Sequence, residues 1–220
     1  MKYFKPILFF LSTLLVLSCS SDDGKISFTL LQLNDVYEIS SIQGGKFGGM
    51  ARVETIHKKL LKENKNTMLV MAGDFLNPSL LGGMKLNGEK IRGKQMIEVM
   101  NAMNFDVVAF GNHEFDIPKN DLQNRINDSS FPWISSNVFN RTKDSIKPFY
   151  QEINGLQIPI KGSFIKEISD ADGTNIKIGF ISVCIPSNPK EYVLYTDMFN
   201  SIQKEYESIK DKVDVVIGLT

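Results

Sequence analysis

Three apolar runs in this chain each end in polar, chemistry-bearing residues, and that recurrence constrains the fold more than any other feature. Thr29–Leu33 runs into Asn34-Asp35, Thr67–Ala72 into Gly73-Asp74, and Phe105–Phe110 into Gly111-Asn112-His113-Glu114-Phe115-Asp116. Short apolar runs bounded by Gly, Asn and Asp read as buried strands. Between the first two, residues 50–62 predict a helix with Met50, Val53, Leu60 and Leu61 on one face. Between the second and third, Met96, Val99, Met100 and Met103 recur at helical spacing and read as core packing. The order β-α-β-α-β predicts a parallel sheet with right-handed crossovers. In open α/β sheets ligands bind beyond the carboxyl ends of the strands. Three such ends carrying carboxylates, an amide and an imidazole predict a metal site assembled from separate loops.

The second half is richer in strands. Residues 131–138 read as one strand, 155–160 and 163–168 as the arms of a hairpin, and 175–185 as a long strand after the turn signal Asp170-Ala-Asp-Gly-Thr174. A helix over 198–212 and a strand over 213–220 complete the pattern. No internal repeat or low-complexity linker interrupts it. The 220 residues fit one domain or slightly more. Lys plus Arg and Asp plus Glu are both 25, so the charge balance makes no electrostatic case for nucleic acid as a partner. The loop at Gly82-Gly83 lacks the Lys-Ser/Thr of a phosphate loop and is assigned no nucleotide role. His57, between Val53 and Leu61, reads as a core-edge residue. Glu114 reads as a first-turn helix residue or an acceptor supporting the site.

The N-terminus carries a targeting pattern. Lys2 and Lys5 precede an apolar stretch from Ile7 to Leu17, too short for a comfortable membrane span but suited to a signal peptide. The stretch closes in Val16-Leu17-Ser18-Cys19, which resembles a bacterial lipobox. That resemblance implies a lipoprotein signal peptide over 1–18 and lipid on Cys19, anchoring the protein to a membrane surface. It also implies a polar tether over 19–25, with a domain from 26 to 220. The expected address is the envelope, on the periplasmic side or the cell surface. An ordinary secretory leader with an incidental cysteine is the other reading. Cys184, the second cysteine, lies in an apolar strand pattern and reads as a buried free thiol.

Asp carboxylates, an Asn carbonyl and His imidazoles suit divalent Mn, Zn, Fe or Co. Two such ions can clamp the attacking and leaving oxygens of a phosphoryl displacement. The ordered set Asn34-Asp35, Gly73-Asp74 and Gly111-Asn112-His113-Glu114-Phe115-Asp116 resembles the calcineurin-like metallophosphoesterases. The full hexapeptide, with Gly48-Gly49-Met-Ala-Arg52, resembles their 5′-nucleotidase branch, and the likeness runs from about Ile26 to Thr220. It implies a four-layer α/β/β/α sandwich and hydrolysis of phosphomonoesters, with nucleotides as the expected substrates. By the same resemblance Asp35 matches a ligand of the first of two divalent metals, Asp74 the bridging ligand and Asn112 a ligand of the second. His113 matches the catalytic histidine, and Asp116 its partner, orienting the imidazole as a carboxylate does.

Two departures stand out. The family's first motif reads Asp-x-His, whereas this chain has Asp35-Val36-Tyr37. Tyr37 either binds metal as a phenolate or leaves the first site weaker. The family also takes histidines from a Leu-Thr-His pattern and a later Gly-x-His-x-His pattern, and this sequence runs to Leu219-Thr220. The expectation is therefore a catalytic domain cut before its last ligands and its nucleoside-holding C-terminal domain, inactive or nearly so alone. Two other readings remain open: a non-catalytic surface lipoprotein that keeps the fold as a binding module, and a one-metal phosphodiesterase using Asp35, Asp74 and Asn112. Taken singly, Asp35 and Asp74 also suit turn or cap positions.

Overall fold

A computed structural model describes residues 24–187 and 189–220. The leader, Cys19 and the tether up to Asp23 lie outside the described residues. Strands β1 (Thr29–Leu33), β2 (Thr67–Met71), β3 (Val107–Ala109) and β4 (Trp133–Ile134) pair in that order, all parallel. Helices α1 (Met50–Glu63) and α2 (Lys94–Met103) make the first two crossovers, and α3 (Lys119–Asp128) the third. Strands β5 (Ser163–Ser169), β6 (Asn175–Ser182) and β7 (Val215–Leu219) form a second sheet, antiparallel between β5 and β6 and parallel between β6 and β7. Helix α4 (Met198–Ile209) precedes β7. Among the described residues no helix is long and apolar enough to cross a membrane.

The period of two along a strand sets the layers. Leu69, Met71, Val108 and Phe110 point to one side and pack with Met50, Met96, Met100, Leu122 and Ile126 from α1, α2 and α3. Met68, Val70, Val107 and Ala109 point to the other side and meet Ile178, Phe180 and Leu219 of the second sheet. Because β2 and β3 are covered on both faces, they read as unbroken apolar runs, whereas β1 carries an exposed Gln32. Gly179 of β6 faces outward, where an added Cβ would come within 2.8 Å of Ile209 Cδ1 at the end of α4. The layers are helices, sheet, sheet, helix, the predicted four-layer sandwich. Each large apolar side chain fully buried in these cores contributes about 1.5–3 kcal/mol.

Helix α2 starts at Gly93 and stops at Asn104, both left-handed, and Asn is among the few non-glycine residues that tolerate that conformation. Its Met96, Met100 and Met103 are buried as predicted. On α1 the buried stripe runs through Met50 and His57, with His57 only 6% exposed, whereas Leu61, on the same face in the last turn, is 38% exposed.

Two expectations fail in the second half, and one helix is unread. The strand over 131–138 breaks after Ile134, because the backbone changes partners. Ser135 N–H donates to Lys161 O and Ser136 N–H to Ser182 O, and the chain re-enters pairing at Val138–Arg141 against Val193–Tyr195. The expected hairpin between 155–160 and 163–168 does not form. Leu156–Pro159 instead folds back on Tyr150–Ile153 across Asn154-Gly155, a dipeptide whose two positive φ values suit a tight hairpin turn. Strand β5 pairs across the Asp-Gly turn with β6. Finally, α3 is absent from the sequence reading, since its ten residues hold only two apolar side chains, Leu122 and Ile126, both buried.

Candidate active site

The ends of β1, β2 and β3 come together as predicted. Asp35 and Asp74 both adopt left-handed backbone, at φ 54° and 60°. This conformation is uncommon for non-glycine residues, but Asp is among the side chains that tolerate it. Asp35 N–H donates to Gly73 O at 3.2 Å, joining the first loop to the second. The second and third loops touch backbone to backbone. A Cβ on Gly73 would lie 2.3 Å from Gly111 N, and one on Gly111 would lie 2.2 Å from Asp74 Oδ1, so neither position has room for a side chain.

Glu114 locks that contact. Its carboxylate is fully buried, and Oε2 accepts from Asp74 N–H at 2.8 Å and Gly111 N–H at 2.7 Å. Oε1 accepts from Phe75 N–H at 2.8 Å and Leu76 N–H at 3.1 Å. Burial lifts the Glu114 carboxyl above its ordinary range, opposed by these backbone donors. His113 N–H in turn donates to Asp74 Oδ1 at 2.8 Å. The reading of Glu114 as a supporting acceptor holds, and it lies in a short 3₁₀ turn, His113–Asp116.

His113 Nδ1 lies 2.7 Å from Asp116 Oδ2, and Lys190 Nζ lies 3.3 Å from Asp116 Oδ1. The bond to Asp116 raises the imidazole's pKa above the usual histidine value. Burial alone would raise Asp116, but His113 and Lys190 outweigh it and hold the carboxyl below its usual range. Asp74 moves the other way, lifted first by burial and further by the charges of Asp35 and Asp116.

Tyr37 does not point a bare oxygen at the cleft. Its hydroxyl donates to Asp35 Oδ1 at 2.8 Å, while Asn34 Nδ2 donates to Oδ2 at 2.7 Å. Burial and the Asp35 bond push the phenol well above its ordinary pKa. Its ring stands edge-on to His113, centroids 6.0 Å apart. Asp35, Asp74 and Asn112 line a cleft of about 180 Å³, walled opposite by Cys184 and Ile185. Cys184 is a buried free thiol, as read from the sequence. The wider cleft of about 470 Å³ beside Phe149 and Asn200 holds none of the predicted site residues. Among the described residues no three His, Cys, Asp or Glu side chains converge as a metal cluster. The donors that do share a cleft are two carboxylates and the Asn112 amide.

Sequence reasoning missed Lys190 and Tyr192, whose hydroxyl lies 3.1 Å from both Phe115 O and Ile117 O. It also missed the role of Asn137. Its buried amide donates to Cys184 O and accepts Cys184 N–H, tying the end of the first sheet to the segment after β6. No local pattern around these residues carries a signal, because their partners lie 47 or more residues away.

The profile described as calcineurin-like phosphoesterase matches residues 28–182. A snake venom 5′-nucleotidase from Naja atra is 30% identical over 198 residues, 84% of this chain and 34% of that protein. The 5′-nucleotidase of Homo sapiens is 28% identical over 210 residues, 89% of this chain and 34% of that protein. The chain thus spans about a third of these relatives' length. A calcineurin-like phosphoesterase from Bacillus subtilis shares the fold at a TM-score of 0.66 and 23% identity, over 87% of this chain and 61% of that one. A 5′-nucleotidase precursor from Thermus thermophilus does so at 0.66 and 22%, over 87% and 36%.

Proposed function

The chain belongs to the calcineurin-like phosphoesterase family, and from that premise we propose that it is a metal-dependent phosphoester hydrolase of the 5′-nucleotidase branch, acting on nucleotide phosphomonoesters. The observation that carries this reading is the junction of the Asp35, Asp74 and Asn112 cleft with the His113–Asp116 pair, joined through the His113 N–H on Asp74. Relatives named 5′-nucleotidase support the choice of substrate class.

Calcineurin-like phosphoesterases bind divalent metals. Two carboxylates and an amide oxygen are donors that such ions accept, so Asp35, Asp74 and Asn112 would hold one here. Bound there, a divalent ion would supply Lewis acidity and lower the pKa of a bound water. Tyr37 orients Asp35 as a neutral donor and leaves the ligand set short of the family's histidine. His113, proton-bearing through Asp116, offsets phosphoryl charge or protonates the leaving oxygen. With Asp35, Asp74 and Asn112 as its only donors among the described residues, the cleft is expected to hold metal weakly and to turn over slowly.

Calorimetric titration with Mn²⁺ is the test, run beside hydrolysis of AMP and bis-p-nitrophenyl phosphate. Wild type is expected to bind Mn²⁺, and Asp74→Asn to bind it more weakly by at least the roughly 10–100-fold that losing an outer-shell partner costs. Equal affinity in the two proteins removes the metal assignment and leaves the binding-module reading. Activity on the diester without activity on AMP favours the one-metal phosphodiesterase.

Export with lipid on Cys19 belongs to the same proposal and rests on Val16-Leu17-Ser18-Cys19. Cells expressing the chain and fed radiolabelled palmitate are expected to label wild type and not Cys19→Ser. Equal labelling, or none in either, overturns the anchor.

A further inference from the structure

We propose that the segment from Lys190 to Tyr192 is a strap that fixes the Asp116 carboxylate, with Lys190 and Tyr192 as positioning residues for the His113–Asp116 pair; its catalytic meaning rests on the reading of that pair above. Asp116 ends a single 3₁₀ turn, and a turn that short has little hydrogen-bond ladder of its own. The strap adds three contacts to it. The Tyr192 hydroxyl sits 3.1 Å from the carbonyls of Phe115 and Ile117, the residues flanking Asp116, and shares its one proton between them. Lys190 holds Asp116 Oδ1 at 3.3 Å while His113 holds Oδ2 at 2.7 Å. With a different cation on each oxygen, the carboxylate plane cannot turn without losing one of them.

The strap is itself well founded. Arg141 N–H donates to Tyr192 O at 2.8 Å, and the next residues, Val193–Tyr195, pair with Val138–Arg141. The Tyr192 ring stands edge-on to buried Phe149. The Lys190–Asp116 pair is partly exposed, 35% and 21%, and pairs of that kind add little to stability. Its value lies in placement, because small displacements of a catalytic group cost large factors in rate.

The chain's two histidines make this measurable, since His57 serves as an internal reference. Long-range ¹H–¹⁵N spectra report the Nδ1 proton of His113 and its exchange with water. In Lys190→Met that exchange is expected to quicken, with His57 and the thermal midpoint unchanged. Lys190→Arg is expected to restore it, and adding Tyr192→Phe to Lys190→Met to quicken it further. If the double variant, folded by its backbone spectrum, keeps the wild-type exchange rate, the strap has no positioning role. Hydrolysis by wild type in Mn²⁺ tests the catalytic reading separately. Protected exchange without hydrolysis leaves the strap standing and removes only its catalytic meaning.

Discussion

Glu114→Leu is expected to remove a large share of the folding stability of this chain, on the order of 4 kcal/mol or more, out of the roughly 5–15 kcal/mol typical of a domain. Leucine fills a similar volume but accepts no hydrogen bond. The N–H groups of Asp74, Phe75, Leu76 and Gly111 would all lose the carboxylate that satisfies them. Each buried donor left bare costs about 1–3 kcal/mol, and four at one point do not add fully. Glu114→Gln is the graded control. It keeps one acceptor oxygen and turns an NH₂ toward the remaining donors, so it should fall between wild type and Leu. Urea unfolding at constant m-value reads the difference. A leucine variant within about 1 kcal/mol of wild type would mean that the two loops hold together without the carboxylate.

The second large effect is expected at Gly111→Ala. The added methyl would sit 2.2 Å from Asp74 Oδ1 and 2.6 Å from Asp74 N, so the Asp74 loop must move. Strain of this kind costs roughly 1–3 kcal/mol, a fall of several degrees in the thermal midpoint for a chain of this size. A second consequence is in metal binding. Displacing a ligand-bearing loop should weaken Mn²⁺ by about 10–100-fold, a loss comparable in free energy to the stability change. Gly73→Ala meets Gly111 N at 2.3 Å and carries φ 93° besides, so it should destabilise more. If Gly111→Ala binds Mn²⁺ as wild type does, Asp74 is not a ligand.

What was legible in the sequence was whatever repeats locally. The three strand-to-donor transitions, the Met stripe of α2 and the core-edge place of His57 follow from apolar period and turn residues. Asp35, Asp74 and Asn112 could be grouped because parallel strands deliver their carboxyl ends to one edge. The failures share a different cause. The break at Ser135-Ser136 depends on Lys161 and Ser182, partners far along the chain. The misplaced hairpin came from passing over Asn154-Gly155, a signal that was present. Leu61 shares the face of Met50 and His57 but is 38% exposed, in the last turn of α1. Lys190 and Tyr192 were invisible, since a lysine and a tyrosine in a loop say nothing until the fold sets them against Asp116.

The first sheet places its strands in chain order, each new one added beside the last. Growth at a single edge lets a nascent chain build the sheet as it is made. The clamp breaks that sequence. The N–H groups of Asp74, Phe75 and Leu76 wait on an acceptor roughly forty residues further on, so the second donor loop has no settled shape until Glu114 arrives. The donor-bearing end of the sheet therefore matures later than the strands that carry it, and the same carboxylate that completes the cleft also closes the folding of its predecessor.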